Sequence, residues 1–355
     1  MDKYRIDSHK LMYHSERISD WINGRRIYPV YMEVSPAGSC NHRCVYCALD
    51  FMEYQPRFLD TKIFKNRLKE MGKLGVKSIM YAGEGEPFLH KDISEIITTT
   101  KKSGIDVAVT SNAVLFNEKI ASETLPYLTW LKVSINAAKP KTYAKIHRAN
   151  AQDFSTVIKN MASAAKIRNK HGYVCTLGMQ IVLLPDNCHE ISLLAKKAKD
   201  IGMDYLVVKP YSQHPLSKTS SFKDIKYSKY LDLADSLKKL SDKKFNLIFR
   251  MQTMKKWDEA ERNYKHCLAL PFWAYIDAGG DVWACSMYLT KGKFCLGNIN
   301  KNSFKEIWES KKHEGLMHWA KEKLNTDKCR VNCRMDEVNR YLWDLAHPAA
   351  HVNFI

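Results

Sequence analysis

From residue 30 to about residue 211 the chain alternates between two hydrophobic spacings. Short runs rich in β-branched and apolar residues cover 30–34, 78–82, 106–110, 131–135, 177–184 and 205–208. Runs of this length and composition predict buried strands. Between them, 61–73, 91–103, 118–123, 153–170 and 189–201 carry the wider periodicity of amphipathic helices. Gly75, Gly104, Gly172 and Gly202 each lie just past a helical run, where a left-handed residue commonly closes a helix. Six such β/α repeats imply a parallel sheet. The pattern predicts an α/β fold with a partial (β/α)6, TIM-like barrel over 30–211. In barrels of this kind chemistry sits at the C-terminal ends of the strands.

The spacing changes after this stretch. Residues 212–221 are polar and include Pro215, 223–240 have helical spacing rich in Lys, and 245–250 fit one more strand. Residues 212–265 therefore read as a bridge to a second unit over 266–345, with 346–355 as a tail. The extension 1–29, which contains Trp21, predicts a helix packed on the barrel. With 355 residues and 45% apolar content the chain can bury a large core. Its start leads into no apolar run, so no secretory signal is expected. No stretch approaches the length of a membrane-spanning helix.

The chemistry-bearing residues fall at the predicted strand ends. Directly after the first strand comes Cys40-Asn41-His42-Arg43-Cys44-Val45-Tyr46-Cys47. Three thiolates are too few to close a tetrahedral zinc site. They can hold three irons of a [4Fe–4S] cube and leave the fourth open. Three structural thiols, or half a zinc site, is the competing reading of these residues alone. The second strand ends in Gly83-Glu84-Gly85-Glu86-Pro87. Its glycines admit close backbone approach to a ligand, and its carboxylates can pair with an ammonium group. Ser111 and Asn112 end the third strand, Ser134 and Asn136 flank the end of the fourth, and Gln180 lies within the fifth.

A second cysteine set, Cys267, Cys285, Cys329 and Cys333, lies in the C-terminal unit. Between its first two members, apolar runs flank Gly279-Gly280, as in a β-hairpin. Four thiolates complete the coordination of one cluster or of one zinc ion. Cys295 is an alternative ligand, and Cys175 and Cys188 read as ordinary thiols. Clustered thiols among ten cysteines, in a chain this long, point to metal ligands in a reducing cytoplasm.

The Cys40-x3-Cys44-x2-Cys47 spacing, with Tyr46 before the last cysteine, resembles the signature of the radical S-adenosylmethionine enzymes. The resemblance implies a cluster whose free iron chelates S-adenosylmethionine, and one-electron cleavage to a 5′-deoxyadenosyl radical. The segment 83–87 looks like the family's Gly-Gly-Glu-Pro motif with a Glu inserted. By resemblance, Tyr46, Gly83, Glu84, Gly85, Glu86, Ser111, Asn112, Ser134, Asn136 and Gln180 bind the cofactor. The C-terminal unit resembles the SPASM/twitch domains that follow many such barrels. A full SPASM domain has seven cysteines; the four here favour the shorter form with one auxiliary [4Fe–4S] cluster. The Cys329-x3-Cys333 spacing is one residue longer than the usual pair. The resemblance covers 30–211 and 266–340.

What it implies is an enzyme of oxidoreductase or epimerase type. It would abstract a hydrogen atom from a small polar substrate, such as a sugar or aminocyclitol, and draw electrons from a flavodoxin or ferredoxin. In an epimerase Cys295 or another thiol could be the hydrogen donor. Radical modification of a peptide is the first alternative, although 1–29 are short for a peptide-binding domain. A nucleic-acid-modifying enzyme is the second, and an iron–sulfur electron carrier is the non-enzyme alternative. The carrier has no use for a Gly/Glu motif beside an open-iron triad.

Net charge is +18, from 56 basic and 38 acidic residues. The basic residues are 42 Lys and 14 Arg, whereas Arg is the residue suited to phosphate forks and base edges. The lysines are scattered along helical faces, and no aromatic stacking platform accompanies them. Nucleic acid is therefore not the expected partner, and neither is a membrane. Filter binding across a salt series should show RNA and DNA association that is weak and lost by about 0.2 M salt. Tight binding that survives that salt would promote the nucleic-acid reading.

Overall fold

The computed structural model describes residues 4–354. Ten strands form one sheet: β1 (Tyr31–Val34), β2 (Ser78–Tyr81), β3 (Asp106–Ser111), β4 (Leu128–Ser134), β5 (Thr176–Val182), β6 (Tyr205–Lys209), β7 (Asn246–Phe249), β8 (Trp273–Ile276), β9 (Asp281–Trp283) and β10 (Cys295–Asn298). The order is β10-β9-β8-β1-β2-β3-β4-β5-β6-β7. Strands β1 to β7 run parallel, each beside its predecessor. Strand β8 lies parallel on the other side of β1, and β9 and β10 follow antiparallel. The predicted parallel β/α barrel is present.

The helices are α1 (Ser15–Ile22), α2 (Thr61–Lys73), α3 (Ile93–Lys102), α4 (Glu118–Thr124), α5 (Pro140–His147), α6 (Ala151–His171), α7 (Ile191–Asp200), α8 (Leu231–Lys238), α9 (Met251–Glu259), α10 (Phe304–Trp308), α11 (Lys311–Lys323) and α12 (Asp336–Ala346). Alternate strand residues such as Val34, Tyr81, Val109, Val133, Ile181 and Val208 are buried against helix residues including Phe64, Leu68, Ile97, Val157 and Leu194. The opposite strand face lines the barrel lumen. There Met80, Ala82 and Ala108 pack with Tyr31 and Trp130, and Tyr205, Val207 and Ile248 pack under Tyr4 and Ile6.

Several boundaries differ from the sequence pattern, each for a physical reason. Helix α5 is not marked by the hydrophobic spacing because it opens with Lys139-Pro140-Lys141. Proline at the first helical position lacks only an N–H that would be unpaired anyway. The helix expected over 223–240 is confined to α8. Its first part is pinned as turns because the Tyr227 hydroxyl accepts from Tyr211 N at 2.6 Å and donates to Leu183 O at 2.9 Å. The bridging segment carries β7, which pairs with β6 and extends the barrel sheet. The C-terminal hairpin likewise joins this sheet through β8, so the two units share one sheet rather than packing as separate bodies.

That junction is held by a knot of polar groups at the C-terminal ends of β1, β2 and β8. Ser35 Oγ donates to Ala82 O at 2.9 Å and lies 2.6 Å from the Tyr275 hydroxyl. Glu84 N–H donates to both oxygens at 3.0 Å. Gly83, at φ +101°, makes this approach possible: a Cβ there would sit 2.3 Å from Ser35 Oγ and 2.4 Å from the Tyr275 hydroxyl. Tyr275→Phe removes a fully buried hydroxyl and weakens two hydrogen bonds. It should lower stability by about 1–3 kcal/mol, read as a reduced urea midpoint at unchanged slope. An unchanged midpoint would show that the knot does not hold the junction.

Candidate active site

The cysteine loop leaves β1 and is clamped from two sides. On one side the last turn of α5 offers free carbonyls, which accept Arg43 N–H (to His147 O, 3.0 Å) and Val45 N–H (to Ile146 O, 2.9 Å). On the other, the β2 turn presses on the loop backbone. Glu86 N–H donates to Ser39 O at 2.8 Å. A Cβ on Gly85 would lie 2.0 Å from Ala37 O, so only glycine fits there. Between the clamps, Cys40, Cys44 and Cys47 are half-buried. The Arg43 guanidinium sits 4.1 Å from the centre of the Tyr54 ring, and the Tyr54 hydroxyl meets Cys47.

Two histidines that the sequence reading did not single out lie behind the loop. His147 Nδ1 is 3.2 Å from Cys44 Sγ, and its Nε2 is 3.0 Å from Ile135 O. The carbonyl needs a donor, so the proton belongs on Nε2 and Nδ1 accepts from the thiol. Burial pushes the His147 pKa down to about 3, which keeps the ring neutral. His42 Nε2 faces Asp153 at 3.2 Å, while its buried Nδ1 has no partner among the described residues. Ligand atoms of His42, Cys44 and His147 fall within 4.8 Å of one another. The signal that could have found them is the position of His147 at the end of a helix that sequence spacing did not reveal.

The predicted cofactor contacts divide into two groups. Glu84 turns away from the loop mouth, contrary to expectation. Its carboxylate accepts from Arg57 at 3.1 and 3.0 Å and from Ala278 N–H at 2.9 Å, tying the β8–β9 turn to the barrel. Glu86 accepts from Ser111 Oγ at 2.6 Å, Asn112 N–H at 2.8 Å and Phe88 N–H at 3.2 Å. Burial raises the pKa of both carboxyls, and these hydrogen bonds oppose the shift. Asn112 Nδ2 donates to Asn41 Oδ1 at 2.7 Å, holding the cysteine loop. Asn136, at φ +53°, donates to the Tyr46 hydroxyl and accepts Val182 N–H at 2.7 Å. The side chains of Glu84, Ser111, Asn112 and Asn136 are therefore engaged in building the site. Gln180 is different. Its Nε2 donates to Ser134 Oγ at 2.7 Å, and its buried Oε1 is left without a partner among the described residues. A buried acceptor in that state is costly unless a ligand donates to it.

The second cysteine set converges fully. Cys267, Cys285, Cys329 and Cys333 line one cavity, together with Tyr264, Trp273, Tyr288 and Met335. Hydrogen-bond donors meet three of the sulfurs: Asn339 Nδ2 at 3.5 Å from Cys267, Met287 N–H at 3.4 Å from Cys285, and the Tyr288 hydroxyl at 3.5 Å from Cys329. Asn339, on α12, also accepts Leu268 N–H at 2.8 Å and Ala269 N–H at 3.0 Å, which fixes the Cys267 turn. Burial raises the thiol pKa values of Cys44, Cys47, Cys285 and Cys333, and to about 12 those of Cys40 and Cys267. Thiolates in such places need a cationic core beside them, and this fits an iron–sulfur cluster. Cys295 lies elsewhere. On β10 it pairs with Trp283 of β9 and does not line the cavity, so the structure removes it as a ligand of this set. Cys175 is buried at the start of β5.

Known proteins agree with this arrangement. Residues 34–204 match the radical SAM superfamily, and residues 267–334 match an iron–sulfur cluster-binding domain, SPASM. The chain belongs to the radical SAM superfamily and carries a C-terminal SPASM domain. The cofactors of these domains are [4Fe–4S] clusters and S-adenosylmethionine. Among curated relatives, a GTP 3′,8-cyclase of Clostridium botulinum is 32% identical over 154 residues, 42% of this chain and 46% of that protein. The match thus spans a little under half of that relative's length. A GTP 3′,8-cyclase of Aquifex aeolicus is 23% identical over 303 residues, 79% of this chain and 89% of that protein. Among solved structures, Streptococcus suis SuiB bound to S-adenosylmethionine superposes with a TM-score of 0.65 at 16% identity, covering 91% of this chain and 76% of that one. The anSMEcpe structure with bound AdoMet gives 0.58 at 16% identity, covering 88% and 89%. At such identities the likeness is one of fold.

Anaerobic reconstitution should load about eight irons in two [4Fe–4S] clusters. Replacing Cys40, Cys44 and Cys47 by Ala, or Cys285 and Cys329 by Ala, should each remove about half. Cys295→Ala should remove none. Iron loss on Cys295→Ala, or stoichiometric zinc with no charge-transfer absorption, would overturn these ligand sets.

Proposed function

We propose that Cys40, Cys44 and Cys47 hold the radical-generating cluster, and that Cys267, Cys285, Cys329 and Cys333 saturate one auxiliary cluster. The net reaction proposed is oxidation of a C–H bond in a small polar substrate held in the barrel lumen. The observation that carries this reading is the convergence of four thiols on one cavity, with donors at three sulfurs. Four thiolate ligands leave no iron for substrate. Hydrogen bonds to sulfur ease reduction of a cluster and so suit it to accept an electron. When bound, the clusters and S-adenosylmethionine supply a one-electron source, a hydrogen-abstracting radical and an electron sink.

The protein's own groups do the rest. The α5 carbonyls and the β2 turn fix the cysteine loop. Glu86, Ser111 and Asn112 brace that turn from below. Gln180 Oε1 offers an acceptor to a bound polar group. The N-terminal Tyr4 and Ile6 pack on lumen residues of β6 and β7 and exclude water there. For epimerisation, the position of Cys295 on β10 speaks against it as the hydrogen donor and leaves that part to another thiol.

A second reading, radical rearrangement of a nucleotide, is favoured by the Aquifex aeolicus relative, whose name gives GTP as its substrate. Peptide modification is suggested by a similar fold, that of Streptococcus suis SuiB, which has been solved bound to precursor peptide SuiA. No feature of this chain's lumen singles out a peptide.

Dithionite-reduced protein should convert S-adenosylmethionine to 5′-deoxyadenosine and methionine, slowly without substrate and faster with it. For an oxidation, one 5′-deoxyadenosine should form per product, and no deuterium should enter the product carbon from D2O. Deuterium at that carbon would move the assignment to epimerisation. No cleavage at all would end the radical reading.

A further inference from the structure

The barrel lumen holds more cations than carboxylates. On β4, Trp130 packs with the lumen residues Met80, Ala82 and Ala108, and Ser134 accepts from Gln180. Lys132 alternates in phase with both, and its ammonium lies 5.3 Å from the centre of the Trp130 ring. On β6, Tyr205 and Val207 belong to the same lumen face, and Lys209 follows in phase. Arg250 follows β7 at the same level, where its N–H meets Val208 O. The loop carrying Cys329 and Cys333 reaches the end of β6, where Asn332 Nδ2 donates to Tyr211 O at 2.8 Å, two residues past Lys209, and it brings Arg330 and Arg334 with it.

Two of these five cations have carboxylate partners. Arg334 pairs with Glu33 at 2.7 Å, and Arg250 pairs with Asp7 at 3.2 Å. Lys132, Lys209 and Arg330 have none among the described residues. Among the described residues the Arg330 side chain donates only to Ser286 Oγ, at 3.3 Å, and its buried Nε lacks a partner. The buried Oδ1 of Asn332, two residues on, also lacks one. The groups feel one another. Burial, then Arg250, Arg334 and Arg330, push the Lys209 pKa down to about 7. Burial and the same neighbourhood lower that of Lys132. A half-buried set of five like charges with two counter-charges is unfavourable when empty and is relieved by an anion.

We propose that Lys132, Lys209 and Arg330 form a subsite in the barrel lumen for an oxyanionic group of the substrate, a phosphate or a carboxylate. The inference rests on the lumen being the substrate chamber, as in the function proposed above. Arg330 supplies a planar fork, and the two lysines supply point charges that adapt to either anion. The Cys329–Cys333 loop thereby serves two tasks: its cysteines line the auxiliary cavity, and Arg330 between them lines that cavity too while its charge reaches Lys209 on the lumen side.

Calorimetry on the anaerobically reconstituted enzyme, saturated with S-adenosylmethionine, tests this with inorganic pyrophosphate and with succinate as probes. At least one probe should bind. Its affinity should fall at least tenfold in each of Lys132→Met, Lys209→Met and Arg330→Gln. Lys209→Arg should restore most of it, and the exposed Lys119→Met should change nothing. A preference for pyrophosphate or for succinate identifies which oxyanion the subsite takes. Iron content and S-adenosylmethionine affinity should stay at the unsubstituted level in all variants. Failure of both probes to bind, or unchanged affinity in the three variants, overturns the subsite. Parallel loss of S-adenosylmethionine affinity also overturns it, because the cations would then serve the cofactor's carboxylate. Absence of iron or of cofactor cleavage in the unsubstituted enzyme would instead count against the radical function itself.

Discussion

The structure depends on the polar knot where β1, β2 and β8 end. Ser35, Glu84 N–H and the Tyr275 hydroxyl satisfy one another in a fully buried place. None of these groups can be left unpaired there without a cost comparable to a large part of a protein's net stability. The knot fixes where the cysteine loop leaves β1, where the glutamate turn leaves β2, and where the C-terminal hairpin joins the sheet. Glu84 extends it through Arg57 and Ala278 N–H. The glutamate inserted in the glycine-rich motif thus links the two cysteine regions.

Electrostatics then sorts the interior into three zones. Around each cysteine set, burial disfavours thiolates until a cationic core arrives, so folding prepares a place that metal completes. Between them, the lumen has the opposite imbalance, with lysines and arginines in excess over Glu33. The cysteine sites and the lumen are therefore distinguished by the sign of the charge they lack.

Much of this was legible in the chain. The six β/α units, both cysteine sets and the class of chemistry follow from periodicity and from ligand spacing, because strand burial and metal ligation impose local patterns. Helix α2 matches its expected bounds, Thr61–Lys73, since its apolar stripe and Asp60 cap are both local. The polar residues at the strand ends were found as residues, but not as roles. Glu84 and Glu86 look alike in sequence, and only three-dimensional neighbours give one to Arg57 and the other to Ser111.

Tertiary structure alone decided what joins distant segments. Pairing of β8 with β1 brings residues some 240 positions apart into one sheet. The approach of the Cys329–Cys333 loop to the end of β6, where Asn332 donates to Tyr211 O, joins segments about 120 residues apart. Cys295 has the same side chain as the four converging cysteines and a plausible spacing, yet the register of β10 against β9 places it elsewhere. Sequence determined which elements form and which chemistry they carry, because those follow from short-range periodicity and residue type. Which side chains share a chamber is set by the closing of long loops, and no local pattern encodes that.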